Sequence, residues 1–408
     1  MLSKRFSRLN MSHTLADAHF RCAENPYSEA NTEGYINLGT AQHGLCCQDA
    51  QKILEGAPAA ELQDYQYQCL HGKAEARKVV AQWLSARAER PLNPDNLVLA
   101  SGATALIEAV GFALCDPGDV ILIPSPSYSG FDYDLRLRAQ VEVEYLPGRA
   151  EQQFKIQPDL LDQHLESSVS EGRKIRALLL HNPANPSGLY LTSDQLEAIL
   201  AVCEKWEIDL VVDEVCADTV FAGNGFVSAL RYSSPKVHTL YSLGKGFSIS
   251  GLPTGFFYSE DPELVKAVAD QAYFFRMSNA MQTQIAWLLG SSEAGRFLEN
   301  SCRRLASVSC HLIDRLEKMG VTVLRPEAGV FIWMDLGEVL GIEDHLSELK
   351  VFEALMSDAR LNISPGQFFH CISPGWFRLC YSVSPAMLDC ALGRLSDFIE
   401  SCDGKSGE

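Results

Sequence analysis

Five short apolar runs recur through the middle of the chain: NLVLA (96–100), VILIPSP (120–126), RALLLHNP (176–183), IDLVVDEV (208–215) and HTLYSL (238–243). Runs this apolar have no polar face to offer water, so they read as strands covered on both sides, the condition of a mostly parallel sheet. The stretches between them, such as ATALIEAVGFAL (103–114) and TSDQLEAILAVCEKW (192–206), have the periodicity of helices that would serve as crossovers. Few folds accommodate that alternation, and an α/β sheet flanked by helices is the expected one. Each run closes into Gly, Pro, Asn, Asp or Ser, and in open α/β sheets ligands bind beyond those carboxyl ends.

The pattern changes after about residue 290. SEAGRFLENSCRRLASVSCHLIDRLEKM (292–319) predicts one long helix, followed by strands in VTVLRP and VFIWMDL and a helix around Lys350–Arg360. FRLCYSV (377–383) reads as a strand, and Ser384-Pro385 supply a cap and first turn for a closing helix, with the terminal DGKSGE expected to fray. A chain of 408 residues exceeds one small core. The expected division is an N-terminal segment (1–50) packing on both domains, a large α/β domain (51–291) and a smaller α+β domain (292–408).

Composition narrows the class. The formal charge is −18, and no Lys or Arg cluster is long enough to track a phosphate backbone, which argues against nucleic acid and anionic membranes as partners. No apolar run reaches the length of a membrane span, and MLSKRFSRLNMSHTLADAHF lacks a secretory apolar core; its basic first dozen residues are the one feature a transit peptide would share. The thirteen cysteines are odd in number and scattered, with no C-x-x-C pair. They predict reduced thiols in a cytoplasmic protein and no metal site.

Five features fall in order at the strand ends. SGATALIEA (101–109) opens a helix with small residues, presenting backbone N–H groups to an anion. PSPSYSGF (124–131) places an aromatic in a turn, and NPANPSG (182–188) makes a rigid loop. VVDEV (211–215) puts a carboxylate at the end of a buried strand, which is costly unless a cation faces it. YSLGKG (241–246) sets a lysine between glycines just after a strand. Each alone reads as an ordinary turn or a solvated residue.

Together, the order turn, aromatic, Asn, Asp, Lys resembles the fold-type I pyridoxal-phosphate enzymes of the class I/II aminotransferase family. The resemblance runs over nearly the whole chain and is closest to the aminocyclopropane-carboxylate synthase branch. It is carried by NPYSEANTEGYINLGTAQHGL (25–45), DPGDVILIPSPSYSGFDYDLR (116–136), AGVFIWMDL (328–336) and, most specifically, SPGQFFHCISPGWFRLCYS (364–382). It implies a mostly parallel, seven-stranded sheet sandwiched by helices, a smaller C-terminal α+β domain, pyridoxal 5'-phosphate as cofactor, an amino-acid-type substrate and a homodimer.

The resemblance also assigns roles. Lys245 would carry the cofactor as a Schiff base and move the proton at Cα. Asp213 would pair with the pyridine nitrogen, Asn185 with the ring's 3'-oxygen, and Tyr128 would stack on the ring. Backbone groups of Ala103 and Thr104 and the Ser242 hydroxyl would hold the phosphate, which Tyr67 would reach from the neighbouring subunit. Arg378 would clamp the substrate carboxylate, a bidentate task suited to a guanidinium.

Three positions depart from the family pattern. Cys216 stands where a tyrosine usually donates to the 3'-oxygen, and a thiol is a poor donor, so the Schiff base is expected to stay protonated to higher pH. In GLPTG (251–255) Pro253 replaces the arginine that usually pairs with the phosphate; weak cofactor binding or a substitute cation is expected, with Arg276 the candidate. Gln42 replaces a glutamate near the substrate, which implies a changed substrate. The leading expectation is transamination of an amino-acid-type substrate, with secondary-metabolite biosynthesis the setting that the resemblance suggests. The alternatives are carbon–sulfur elimination from a cysteine conjugate, the α,γ-elimination of the synthase, and a protein that has kept the fold but lost catalysis.

Overall fold

The apolar runs assemble side by side in the computed structural model, which describes residues 14–223 and 225–403. The first dozen residues and almost all of the terminal DGKSGE lie outside the described residues. In chain order the strands are β1 (Ile36–Asn37), β2 (Leu97–Ala100), β3 (Val120–Ser125), β4 (Glu142–Pro147), β5 (Ile175–His181), β6 (Asp209–Asp213), β7 (Val237–Tyr241) and β8 (Gly255–Ser259). Then follow β9 (Thr322–Leu324), β10 (Phe331–Asp335), β11 (Leu361–Asn362), β12 (Ser364–Pro365) and β13 (Trp376–Cys380). The large sheet has the order β2-β8-β7-β6-β5-β3-β4. Strands β3 to β7 pair in parallel, while β8 runs antiparallel to both β2 and β7.

Two of these seven strands have no counterpart among the five apolar runs, for opposite reasons. β4 is an edge strand that carries Glu142 and Glu144 and buries only Val143 and Leu146, so its apolar content is diluted. β8 is fully buried and as long as β6 and β7, but it follows β7 through a loop and not through a crossover helix, outside the strand–helix alternation.

Within the strands the side-chain period of two divides the core between two faces. Ile121, Leu179, Val211 and Phe257 pack with helices Ala103–Leu114 and Pro262–Phe275. Their neighbours Leu122, Leu178, Leu210 and Val212 pack with helices Pro158–Ser170 and Ser193–Lys205 on the other face.

Beyond the long helix Glu293–Lys318 a second, antiparallel sheet has the order β12-β13-β10-β9. The helix expected near Lys350–Arg360 spans His345–Ser357; it starts earlier because Asp344 and Ser347 form a reciprocal cap. The N-terminal segment contains a helix, Thr14–Glu24, that its weak periodicity did not announce, and β1 pairs in parallel with β11.

The stretch Ser364–Ser382 owes part of its shape to one buried acid. Glu348 Oε1 accepts from the Gln367 amide and Oε2 from the Gly375 amide, each at 2.8 Å. Replacing Glu348 by Ala strands two N–H groups and should cost about 2–4 kcal/mol, read from chemical denaturation. Glu348→Gln keeps one acceptor and should lose about half as much; an unchanged Glu348→Ala midpoint would show that packing alone holds the loop.

Candidate active site

The carboxyl edge of the large sheet borders a cavity of about 220 Å³ lined by Ala103, Thr104, Tyr128, Asn185, Asp213, Ser242 and Lys245. Local chemistry explains each placement. Gly102, at φ 102°, turns the chain from β2 into helix Ala103–Leu114, so the free N–H groups of the first turn face the cavity. Gly255 must be glycine because a Cβ there would lie 2.5 Å from the Gly102 carbonyl. Ser242 Oγ accepts from the Gly244 amide at 3.1 Å and lies 3.4 Å from Thr254 Oγ1. Ser250 and Thr254 line the same end, although neither stands out in the sequence.

Asp213 closes β6, and its Oδ1 accepts from the Val215 amide at 3.1 Å. Burial pushes this carboxyl up to about 7, only partly opposed by that bond and by Lys245. Asn185 is oriented by Arg378, whose Nη1 donates to Asn185 Oδ1 at 3.0 Å. A guanidinium has only donors, so the amide nitrogen of Asn185 is left for the cavity. The Tyr128 ring meets Phe131 edge-on at 5.3 Å, and burial pushes its phenol up to about 12. Lys245 Nζ donates to the Ala41 carbonyl, and burial lowers its pKa, which favours the neutral amine a nucleophile needs.

Arg378 is 4% exposed and lies behind Asn185. Its Nη2 donates to the Gly39 carbonyl, its Nε has no partner, and it stacks 4.7 Å from the Phe369 ring. Among the described residues no carboxylate pairs with it. A buried guanidinium without a counter-ion is costly and suits a site that receives a carboxylate.

Two expected residues lie elsewhere. Gln42 is exposed and outside the lining, whereas its neighbour Ala41 lines the cavity. Tyr67 is 87% exposed in a separate groove beside Arg276, whose guanidinium stands 5.1 Å over the tyrosine ring. Arg276 therefore does not line the cavity within this chain. Both substituted positions do: Cys216 with a buried thiol pushed up to about 12, and Pro253, whose Cβ is 3.6 Å from where a Gly102 Cβ would stand. His181 also lines the cavity. In sequence it is only the last residue of an apolar run, and a polar ring closing a buried strand was the available signal.

The family described as aminotransferase class I and II matches residues 35–395. This chain belongs to that family. Among its relatives, 1-aminocyclopropane-1-carboxylate synthase 5 of Arabidopsis thaliana is 32% identical, covering 93% of this chain and 86% of that protein. The 1-aminocyclopropane-1-carboxylate synthase 2 of Solanum lycopersicum is also 32% identical, over 90% of this chain and 81% of that protein. Of solved structures, an aspartate aminotransferase from Thermus thermophilus with maleate superimposes with a TM-score of 0.83 at 21% identity, covering 97% and 99% of the two chains. An aromatic aminotransferase from Pyrococcus horikoshii gives 0.81 at 19% identity, covering 95% and 99%. The fold is that of these aminotransferases, and the chain is a pyridoxal-phosphate-dependent enzyme.

The residues present fit that cofactor. One end of the cavity has a helix N-terminus and hydroxyls for a phosphate, the other a buried carboxylate lacking a cation, and a lysine with depressed pKa lies between. The weak point is the phosphate end, where the described lining has no arginine. Pro253→Arg should therefore restore one charge-assisted pair, about 1.5–3 kcal/mol, and slow cofactor loss on dialysis roughly 10- to 100-fold. An unchanged rate would show that the phosphate is already neutralised by another group.

Proposed function

We propose that this enzyme transaminates an α-amino acid, with Lys245 as the catalytic base and Arg378 as the carboxylate anchor. The observation that carries the reading is the buried, counter-ion-free Arg378, tied through Asn185 to the cavity that holds Lys245. When bound, pyridoxal phosphate supplies an electron sink for the bond broken at Cα. The protein does the rest. Arg378 fixes the substrate carboxylate, so the Cα–H bond is presented to Lys245 Nζ, which removes that proton and returns it elsewhere.

Asp213 would accept from the pyridine nitrogen, and the Asn185 amide would donate to the 3'-oxygen. Tyr128 would cover the ring face; the Ala103 and Thr104 amides and the Ser242 hydroxyl would hold the phosphate. Gln42, exposed and next to the lining residue Ala41, would meet the substrate side chain. The exposure of Tyr67 suits a residue that reaches the phosphate of a second subunit in a symmetric dimer. Cys22, Cys115, Cys203, Cys216 and Cys371 are free and buried, and among the described residues no helix is long and apolar enough to cross a membrane; such free thiols favour a reducing, cytoplasmic setting.

A second reading is elimination, either of the α,γ type or across a carbon–sulfur bond. It is favoured by relatives that carry the synthase name at 32% identity. Gln42 and Cys216 oppose the synthase reaction itself, because both differ from that branch near substrate and ring.

Product analysis separates the readings. A transaminase should release one equivalent of 2-oxo acid per active site and then stop until an acceptor 2-oxo acid is added. A carbon–sulfur lyase turns over without acceptor and yields thiol, ammonia and 2-oxo acid in equal amounts, and aminocyclopropane-carboxylate would mark the synthase reaction. Lys245→Ala should abolish every product, and Arg378→Lys should lower kcat/KM roughly 10- to 100-fold through loss of the paired geometry.

A further inference from the structure

His181 is the polar residue of the cavity wall without an assigned task. It closes β5, and both ring nitrogens are buried without a hydrogen-bond partner. Burial, with Lys245 and Arg378 nearby, lowers its pKa to about 3, so the ring is neutral and offers one donor and one acceptor.

Position gives this ring a target. β5 and β6 are parallel neighbours in the register His181 to Asp213, and the Asn182 amide donates to the Asp213 carbonyl at 3.0 Å. Side chains of paired residues leave a parallel sheet on the same face, about 4.8 Å apart, and both of these line the cavity. Asp213 meanwhile has a single hydrogen-bond donor, the Val215 amide.

The surroundings leave few competitors. Lys245 and Arg378 are the cations that face the pair. Tyr128 and Cys216 are held protonated by burial. Asp134, from helix Phe131–Arg136, and Glu214 are both pushed up to about 8, and Glu214 is already engaged by Ser228 and the Ala229 amide.

We propose that His181 is a positioning residue that donates a ring N–H to Asp213 and aims that carboxylate at the pyridine nitrogen of the cofactor. The contact forms by side-chain rotation across the strand spacing, and the imidazole stays neutral throughout. A donated hydrogen bond favours the charged form of a carboxylate, so His181 extends the pH range in which Asp213 is ionised. The inference rests on the assignment of Asp213 given above, and the test separates the two.

The experiment compares holoenzyme with His181→Phe, His181→Asn and Asp213→Ala, following cofactor retention on gel filtration and kcat/KM across pH 5–9, with thermal unfolding as a check on folding. Without its donor Asp213 protonates at higher pH. In His181→Phe the acidic limit of both profiles should therefore move up by about one unit, with about tenfold weaker retention at the acid end. His181→Asn, which keeps a donor, should stay near the parent.

A parental profile for His181→Phe, or equal shifts in the Phe and Asn variants, would overturn the proposal. If Asp213→Ala also retains cofactor like the parent, the Asp213 assignment fails as well; if Asp213→Ala loses cofactor and His181→Phe does not, only the role of His181 is lost. Should His181→Phe not fold, His181→Ala replaces it with the same two outcomes.

Discussion

Asp213 stands at the end of β6 with its carboxyl buried, one amide donating to it, and no cation paired with it among the described residues. Burial favours the neutral acid, whereas the proposed pairing with the cofactor's pyridine nitrogen would need the carboxylate. The site around it works to settle that conflict. Lys245 is near enough to favour the charged form, and His181 lies alongside it in the neighbouring strand. A protonated ring nitrogen would complete the pair that folding leaves open, so cofactor binding and the ionisation of Asp213 are linked.

The N-terminal segment holds the two cations in place. The Ala41 carbonyl accepts from Lys245, and the Gly39 carbonyl from Arg378. Close by, His43 is wedged between Ser301 of the long helix and Ser382 beyond β13, with its ring held neutral by burial. One short stretch of chain therefore touches the large sheet, the long helix and the C-terminal sheet. It keeps a lysine and an arginine hydrogen-bonded, and on the proposed reading both bonds would give way to the cofactor and to a substrate carboxylate. Carbonyl acceptors suit that duty, because they satisfy a buried cation without trapping it in an ion pair.

The phosphate end shows a different economy. Its donors are a helix terminus and hydroxyls, and Pro253 occupies the place beside the Gly102 turn. Arg276 runs along the same turn through its backbone, since Ser101 Oγ donates to its carbonyl, yet its guanidinium lies over Tyr67 on an exposed face. That face also carries Tyr65 and Phe274, both largely exposed. The segment that would otherwise bring a cation inward has turned outward with the aromatic residues.

Much of this was legible in the sequence because burial leaves a plain signature there. Apolar runs such as LVVD at β6 have one reading, and the order of turn, aromatic, Asn, Asp and Lys beyond their ends carried the resemblance that assigns Lys245, Asp213 and Asn185 their roles. The edge strand β4 and the antiparallel β8 did not, since charge dilutes the first and the second follows β7 without a crossover helix. Gln42 shows the limit of motif reasoning: the motif named the right segment, but backbone direction puts Ala41 into the cavity and Gln42 at the surface. His181 shows it from the other side, because register with Asp213 is a property of two strands 32 positions apart in the pairing and of neither one alone. The sequence by itself determined, through periodicity, most of the elements that form, and its motifs carried the resemblance that assigns the candidate site residues. Only the tertiary structure decided which side chains share a cavity and which groups lack a partner, because those depend on strand register and on contacts between distant parts of the chain.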